Sequence, residues 1–118
     1  MILTKRVYEA ASKKDGFRVL VDRLWPRGLT KAKAKVDLWM KEIAPSDALR
    51  KEFHRGDMKW PDFEKKYRAE LKSKKEFIGQ LSALEKEHGT VTLAYGSKDE
   101  KQNQAIVLAE LLKKRAEK

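Results

Sequence analysis

Between Val21 and Leu29 the chain places Asp22-Arg23-Leu24-Trp25-Pro26-Arg27-Gly28 in one short stretch. Arginine forks grip phosphate or carboxylate oxygens bidentately, and a neighbouring indole offers a flat stacking face. Arg23, Arg27, Trp25 and Gly28 are therefore candidate ligand-binding residues, and Asp22 is a candidate acid or base. A structural use of the same residues stands beside this: Trp25 in the core, Asp22 paired with one arginine, Pro26 and Gly28 shaping a turn. A second stretch, Tyr95-Gly96-Ser97-Lys98-Asp99, reads as a strand running into a helix. Free backbone N–H groups at such a junction, with Ser97 and Lys98 as added donors beside Tyr95, make an anion cradle. Ser97 as an ordinary N-cap fits equally well, and the two roles are compatible. The spacing is not that of a Walker loop.

His54 is one of two histidines. It lies four residues after Arg50 and shares its helix face, where it could exchange a proton near neutral pH. A histidine at a helix end also commonly meets the terminal carbonyls. His88, beside Gly89, reads as structural. With no cysteine and no H-x-x-x-H pair, neither a zinc site nor any other metal or cofactor site is expected. No G-x-S-x-G elbow is present.

These residues need a scaffold, and the chain supplies one. Ile2 to Tyr8 is rich in β-formers, and Phe17 to Val21 is a near-continuous apolar run suited to a strand covered on both faces. Thr30 caps a short turn through Lys35. Val36 to Met40 alternates apolar and polar residues, which fits a third strand, with helix as the competitor. Pro45-Ser46 marks a helix start with Ser46 as N-cap. Pro61 opens a second helix with the apolar stripe Trp60, Phe63, Tyr67 and Leu71, in which Tyr67 is core and Glu70 could pair with an arginine of the basic loop. Ser73 and Glu76 have capping-box spacing for a third helix ending at Gly89. Thr90 to Tyr95 is the clearest strand. Ser97 and Glu100 form a second capping box, from which the last helix would bury Ala105, Leu108, Leu111 and Leu112. Helices between the later strands imply crossovers and a parallel arrangement. The expected fold is α/β: one small three-layer domain over 1–118, with a mostly parallel sheet of about four strands flanked by helices.

At 118 residues, 41% of them hydrophobic, the chain suits one core. Net charge is +10, and residues 1–35 carry ten Lys/Arg against Glu9, Asp15 and Asp22. Such an excess implies an anionic partner. The absence of cysteine fits a reducing compartment. No apolar h-region follows the basic start, and no run could cross a bilayer, so a cytoplasmic protein without membrane contact is expected.

Lys5-Arg6-Val7-Tyr8 and Arg18-Val19-Leu20-Val21-Asp22-Arg23-Leu24-Trp25-Pro26-Arg27-Gly28 resemble the signature of the YeaO-like proteins, domain of unknown function 488. Asp37 to Ser46, Phe63 with Tyr67-Arg68-Ala69-Glu70-Leu71, and Val91 to Tyr95 followed by Lys98-Asp99-Glu100 and Asn103 extend the likeness over nearly the whole chain. The resemblance implies a small α/β protein of bacteria or archaea and brings no established reaction. Some members carry a transcription-regulator label, for which this sequence offers little. Where members often show Ala-Ala or Ala-Ser after the strand tyrosine, this chain has Gly96-Ser97. Where a histidine often precedes the final-helix asparagine, it has Gln102, which weakens any mechanism needing a second histidine.

The first functional expectation is a site for a phosphorylated or nucleotide-like anionic small molecule at the strand C-terminal ends. Arg23, Arg27 and Arg50 would hold the anion and Trp25 would stack on it. Ser97 and its neighbours would complete the cradle. If chemistry occurs, His54 or Asp22 would carry it in a transferase or hydrolase. This composite site requires the two junctions to be neighbours. The second expectation is nucleic-acid binding by the basic N-terminal third, although no helix-turn-helix spacing is visible. The third is a non-catalytic interaction protein. No oligomeric state is implied.

Overall fold

The structure, a computed structural model, describes residues 1–116. Four strands form one sheet: β1 (Ile2–Arg6), β2 (Phe17–Leu20), β3 (Leu38–Trp39) and β4 (Val91–Tyr95), in the order β1-β4-β2-β3. Every pairing is parallel, with Thr4 opposite Leu93, Val19 opposite Leu93 and Val19 opposite Leu38. The α/β fold with four parallel strands expected from the sequence is what the chain adopts. β4 is an inner strand buried along its whole length, as its mostly apolar sequence requires. The sheet hydrogen bonds run past the strand ends: Val7 N–H donates to Tyr95 O (2.7 Å) and Val21 N–H to Ala94 O (3.0 Å). β3 is shorter than the Val36–Met40 pattern suggests, and it forms the edge of the sheet.

Helices α2 (Asp47–His54), α3 (Trp60–Leu71), α4 (Lys75–His88) and α5 (Gln104–Ala116) supply one apolar layer. Phe63, Leu81 and Leu108 meet Val19, Val21 and Leu93 there. The opposite sheet face presents Leu20 and Ala94, with Val7 beside them. It is covered by a one-turn helix, α1 (Lys31–Ala34), and by Trp25, Leu29 and Val36 of the surrounding loops. The three layers are therefore unequal, because only one face is matched by helices long enough to carry an apolar stripe.

Polar contacts seal this thinner face. Arg18, on β2, is buried with Asp15 at 2.7 Å. Its Nη2 donates to Ala34 O (2.9 Å) and its Nε to Lys35 O (3.1 Å), so each guanidinium nitrogen has an acceptor. Burial works against the Asp15 carboxylate, but donation from Ser12 N–H, Arg18, Lys5 and the Ser12 hydroxyl holds its pKa below the usual value. The turn is anchored by Thr92 Oγ1 donating to Asp15 O (2.7 Å). Gly16 follows at φ +64°, and a Cβ there would lie 2.3 Å from Thr90 O, so the chain passes β4 at a distance only glycine permits.

Two helix starts differ from the sequence reading. Ser73 closes α3 by donating to Glu70 O (2.9 Å), and α4 begins at Lys75. α5 begins at Gln104, not near Ser97. Asp99 accepts from Lys101 and Gln102 N–H (2.9 Å each), which holds that stretch as a turn. Local side-chain bonds of this kind compete with the helical ladder. Asn103 Oδ1 then caps α5 by accepting from Ile106 N–H (3.2 Å). Ser46 and Thr30 cap as expected, accepting from Leu49 N–H and Lys33 N–H at 3.2 Å each.

Candidate functional site

Because β2 and β4 are hydrogen-bonded neighbours, the two junctions lie side by side at the strand C-terminal ends. A cleft of about 210 Å³ opens there, lined by Asp22 and Arg23 after β2, Gly96 and Ser97 after β4, and Arg50 and His54 of α2. Phe53, Phe63 and Pro45 form its apolar wall, and Gln102, Asn103 and Gln104 bring amides to its edge.

Asp22 ties the floor together. Its Oδ2 accepts from Gly96 N–H (2.8 Å), and its other oxygen accepts from the Gln104 side chain. A Cβ at position 96 would stand 2.8 Å from that carboxylate, so the close approach depends on glycine. Burial pushes Asp22 up to about pKa 6, against the pull of the Gly96 N–H, the Gln104 amide and the Arg50 charge. Its backbone carbonyl accepts from Trp39 Nε1 (2.7 Å), fixing the strand end from the sheet edge.

Arg23 turns the opposite way from a free anion clamp. Its Nε donates to Pro45 O (3.0 Å) and its Nη2 to Ala44 O (3.4 Å). The same segment is held from α3 and its end: Tyr67 donates to Ile43 O (2.7 Å), Lys74 to Ala44 O (2.9 Å), and Glu70 accepts from Ser46 N–H and Oγ (2.9 and 2.6 Å). Glu70 thus grips the start of α2 instead of an arginine of the basic loop. Burial lowers the Lys74 pKa and raises that of Tyr67, so both donors sit where loss of the bond would leave a costly group. The clamp fixes where α2 begins, and hence where Arg50 points.

Arg50 is the group left over. Nη2 meets Asp47 at 3.3 Å, yet its Nε is buried and has no acceptor among the described residues. His54 stands exposed at the rim, edge-on to Phe53 at 6.4 Å. Arg6 Nε is also without an acceptor, but it lies outside the cleft, with Cζ 5.0 Å from the Tyr8 ring.

Of the residues singled out in the sequence, Asp22, Arg23, Arg50, His54 and Ser97 meet in this cleft. Trp25 packs on the thinner face and donates to Leu29 O (2.7 Å). Arg27, Gly28 and Lys98 are exposed outside the cleft, and Arg27 O accepts from the Tyr8 hydroxyl (2.9 Å). Tyr95 is a core residue of β4. Ser97 does not stand at a helix N-terminus; its Oγ accepts from Asp99 N–H (3.1 Å) within the turn. The amide-rich run Gln102-Asn103-Gln104 escaped sequence reasoning, although three polar residues before an apolar helix were a visible signal. No group of three or more His, Cys, Asp or Glu side chains able to hold a metal occurs among the described residues. None of the described helices is long and apolar enough to cross a membrane.

Fold and cleft together define a small parallel α/β protein with a pocket at its strand ends that joins polar groups to an apolar wall. The chain belongs to the DUF488 family: the group described as "Inactive DUF488-N3 subclade" matches residues 1–118. It is 44% identical to the uncharacterized protein YeaO of Escherichia coli K12 over 95% of this chain and 96% of that one. It is 38% identical to the uncharacterized protein Rv3073c of Mycobacterium tuberculosis H37Rv, over 91% and 89% respectively. No solved structure matches it significantly.

Proposed function

We propose that the strand-end cleft binds a small phosphate- or carboxylate-bearing molecule without turning it over. The observation that carries this reading is Arg50, which lines the cleft while its buried Nε makes no hydrogen bond among the described residues. An unsatisfied buried donor costs about 1–3 kcal/mol, which a ligand oxygen recovers once the guanidinium turns to meet it. Ser97 and the Gln102 amide offer further donors, and the phenylalanine wall suits a short apolar body. A volume of about 210 Å³ fits a small anion or metabolite better than a whole nucleotide. Two features favour binding over catalysis. His54 stands exposed and makes no hydrogen bond to Asp22, and the family description carries the word inactive.

Nucleic-acid binding has less support. Of the ten cations in residues 1–35, Lys5 and Arg18 are engaged by Asp15, and Arg23 by backbone carbonyls.

A thermal-shift screen of inorganic phosphate, sugar phosphates, small carboxylates and short oligonucleotides, at low and moderate salt, tests the proposal. A ligand at ~100 times its dissociation constant adds ~2.7 kcal/mol and raises the midpoint. The expected hit is a small anion whose shift persists in salt and is absent in Arg50→Gln. A shift unchanged in that variant, or one given only by oligonucleotides and lost in salt, overturns it.

A further inference from the structure

A second concavity lies where α3, α4 and α5 meet, and it shares no residue with the strand-end cleft. It is an open groove of about 530 Å³ over Leu71, Ile78 and Leu111, with Arg68, Lys72, Lys75, Lys114 and Arg115 around the rim. The geometry points to a docking groove for an acidic, amphipathic peptide segment of a partner protein.

Charge is the first argument. Arg68 is satisfied within the chain, by Glu110 at 2.9 Å and Glu64 at 3.5 Å. The other four rim cations make no ion pair among the described residues, and all four are exposed. Lys72, Lys114 and Arg115 complement the C-terminal ends of α3 and α5, as basic side chains at helix ends do. Lys75 does not: it stands in the first turn of α4, where the helix dipole opposes a cation. The helix dipoles thus account for three of these cations but not for Lys75, and acidic side chains laid across the rim would neutralise all four.

The floor is the second argument, and it selects the class of partner. Leu71 and Ile78 are core residues only 2% and 3% exposed, so the apolar surface that a partner meets is that of half-buried Leu111 and the aliphatic stems of the rim lysines. Gly79 leaves room on α4 for Arg115, whose Nη2 lies 3.9 Å from where a Cβ would stand, so the rim leans over the floor. A floor of aliphatic side chains accepts one or two apolar side chains from a helix or turn, the usual mode of helix-in-groove recognition. A nucleic acid would gain its phosphate contacts but no aromatic platform for its bases, since none lines the groove. A membrane would meet the cations but could not fill a concavity between three helices.

Random peptides displayed on phage are selected on the full chain and counter-selected on Lys75→Glu/Lys114→Glu, both exposed positions. Binding of a synthetic winner is then followed by fluorescence anisotropy. Enriched peptides should carry Asp or Glu around two aliphatic residues about one helical turn apart. Affinity should fall about tenfold or more in the charge reversal, whose unfolding midpoint should stay close to wild type, and in Leu111→Gln, measured at a temperature where circular dichroism shows that variant folded. Phosphatidylglycerol vesicles and a single-stranded oligonucleotide are measured alongside. No enrichment, enrichment without acidic residues, or equal binding to the reversed variant overturns the proposal. So does binding that appears only with vesicles or oligonucleotide.

Discussion

On one side of β2, Asp15 and Arg18 form a buried ion pair in which each guanidinium nitrogen has an acceptor. Beyond the end of the same strand, Asp22 and Arg50 share a cleft in which a buried guanidinium N–H has none. Both regions bring a carboxylate and an arginine together out of bulk water, but only one is saturated. Their proton affinities move apart accordingly: Asp15 is held below the usual carboxylate range and Asp22 is pushed up to about 6. A closed set of hydrogen bonds turns buried charge into a strut. An incomplete set leaves free energy for a ligand to recover.

The largest test of this contrast is to remove each arginine. Arg18→Ala strands Asp15 under the loops and should cost about 3–5 kcal/mol in denaturant unfolding. Arg50→Ala should cost under ~1 kcal/mol in the same assay, because it removes a donor with an unmet need. Equal losses would erase the distinction.

Gly16→Ala comes next, at about 3 kcal/mol, since positive φ and contact with the Thr90 carbonyl combine against it. Gly96→Ala should cost about 1 kcal/mol, because the opposing atom belongs to a side chain that can rotate away.

The carboxylates separate by pH. Asp15 has a lowered folded pKa, so its contribution is present above the unfolded value of 3.8 and is lost as pH falls through the folded one. Asp22 has a raised folded pKa, so the protonated form favours folding and stability declines as pH rises from about 4 to about 6. Allowing for its partial exposure, Asp22→Asn should remove about 2 kcal/mol of that decline, leaving the variant flatter across the window and no less stable at neutral pH. Chemical denaturation of both proteins across that range reads this directly. Loss of the Asp22 charge below about pH 6 should also tighten anion binding in the cleft, and Asp22→Asn should remove that share of the dependence.

The smallest expected effects belong to Arg27→Ala and Lys98→Ala. Both side chains are exposed outside the cleft, so stability should stay within about 0.5 kcal/mol and the anion shift should persist.

The sequence disclosed what depends on near neighbours. Apolar runs marked β2 and β4, Ser46 and Pro61 marked two helix starts, and the four-residue spacing put Arg50 with His54. It misplaced the start of α5, because Ser97 and Glu100 imitate a capping box while Asp99 takes two N–H groups first. The site was half legible for the same reason. Asp22, Arg23 and Ser97 stood out as types, but their meeting depends on β2 lying beside β4, and Gln104 reaches Asp22 from 82 residues away. Trp25 belonged to the motif by sequence and to the other face of the sheet by geometry.

The strand order has a consequence for how the chain folds. β4 is an inner strand of the sheet, paired to both β1 and β2, yet it is the last of the four to be made. Until residue 95 has left the ribosome, β1 has no strand to pair with, and β2 has only the two residues of β3. Closure of the sheet around β4 should therefore come late and carry Asp22 onto Gly96, creating the cleft in the same step. Pairings this distant raise the entropic cost of that event, so folding should be slow for a protein of this size. Emergence of β4, and not that of the N-terminal third, should then be the moment at which the cleft first exists.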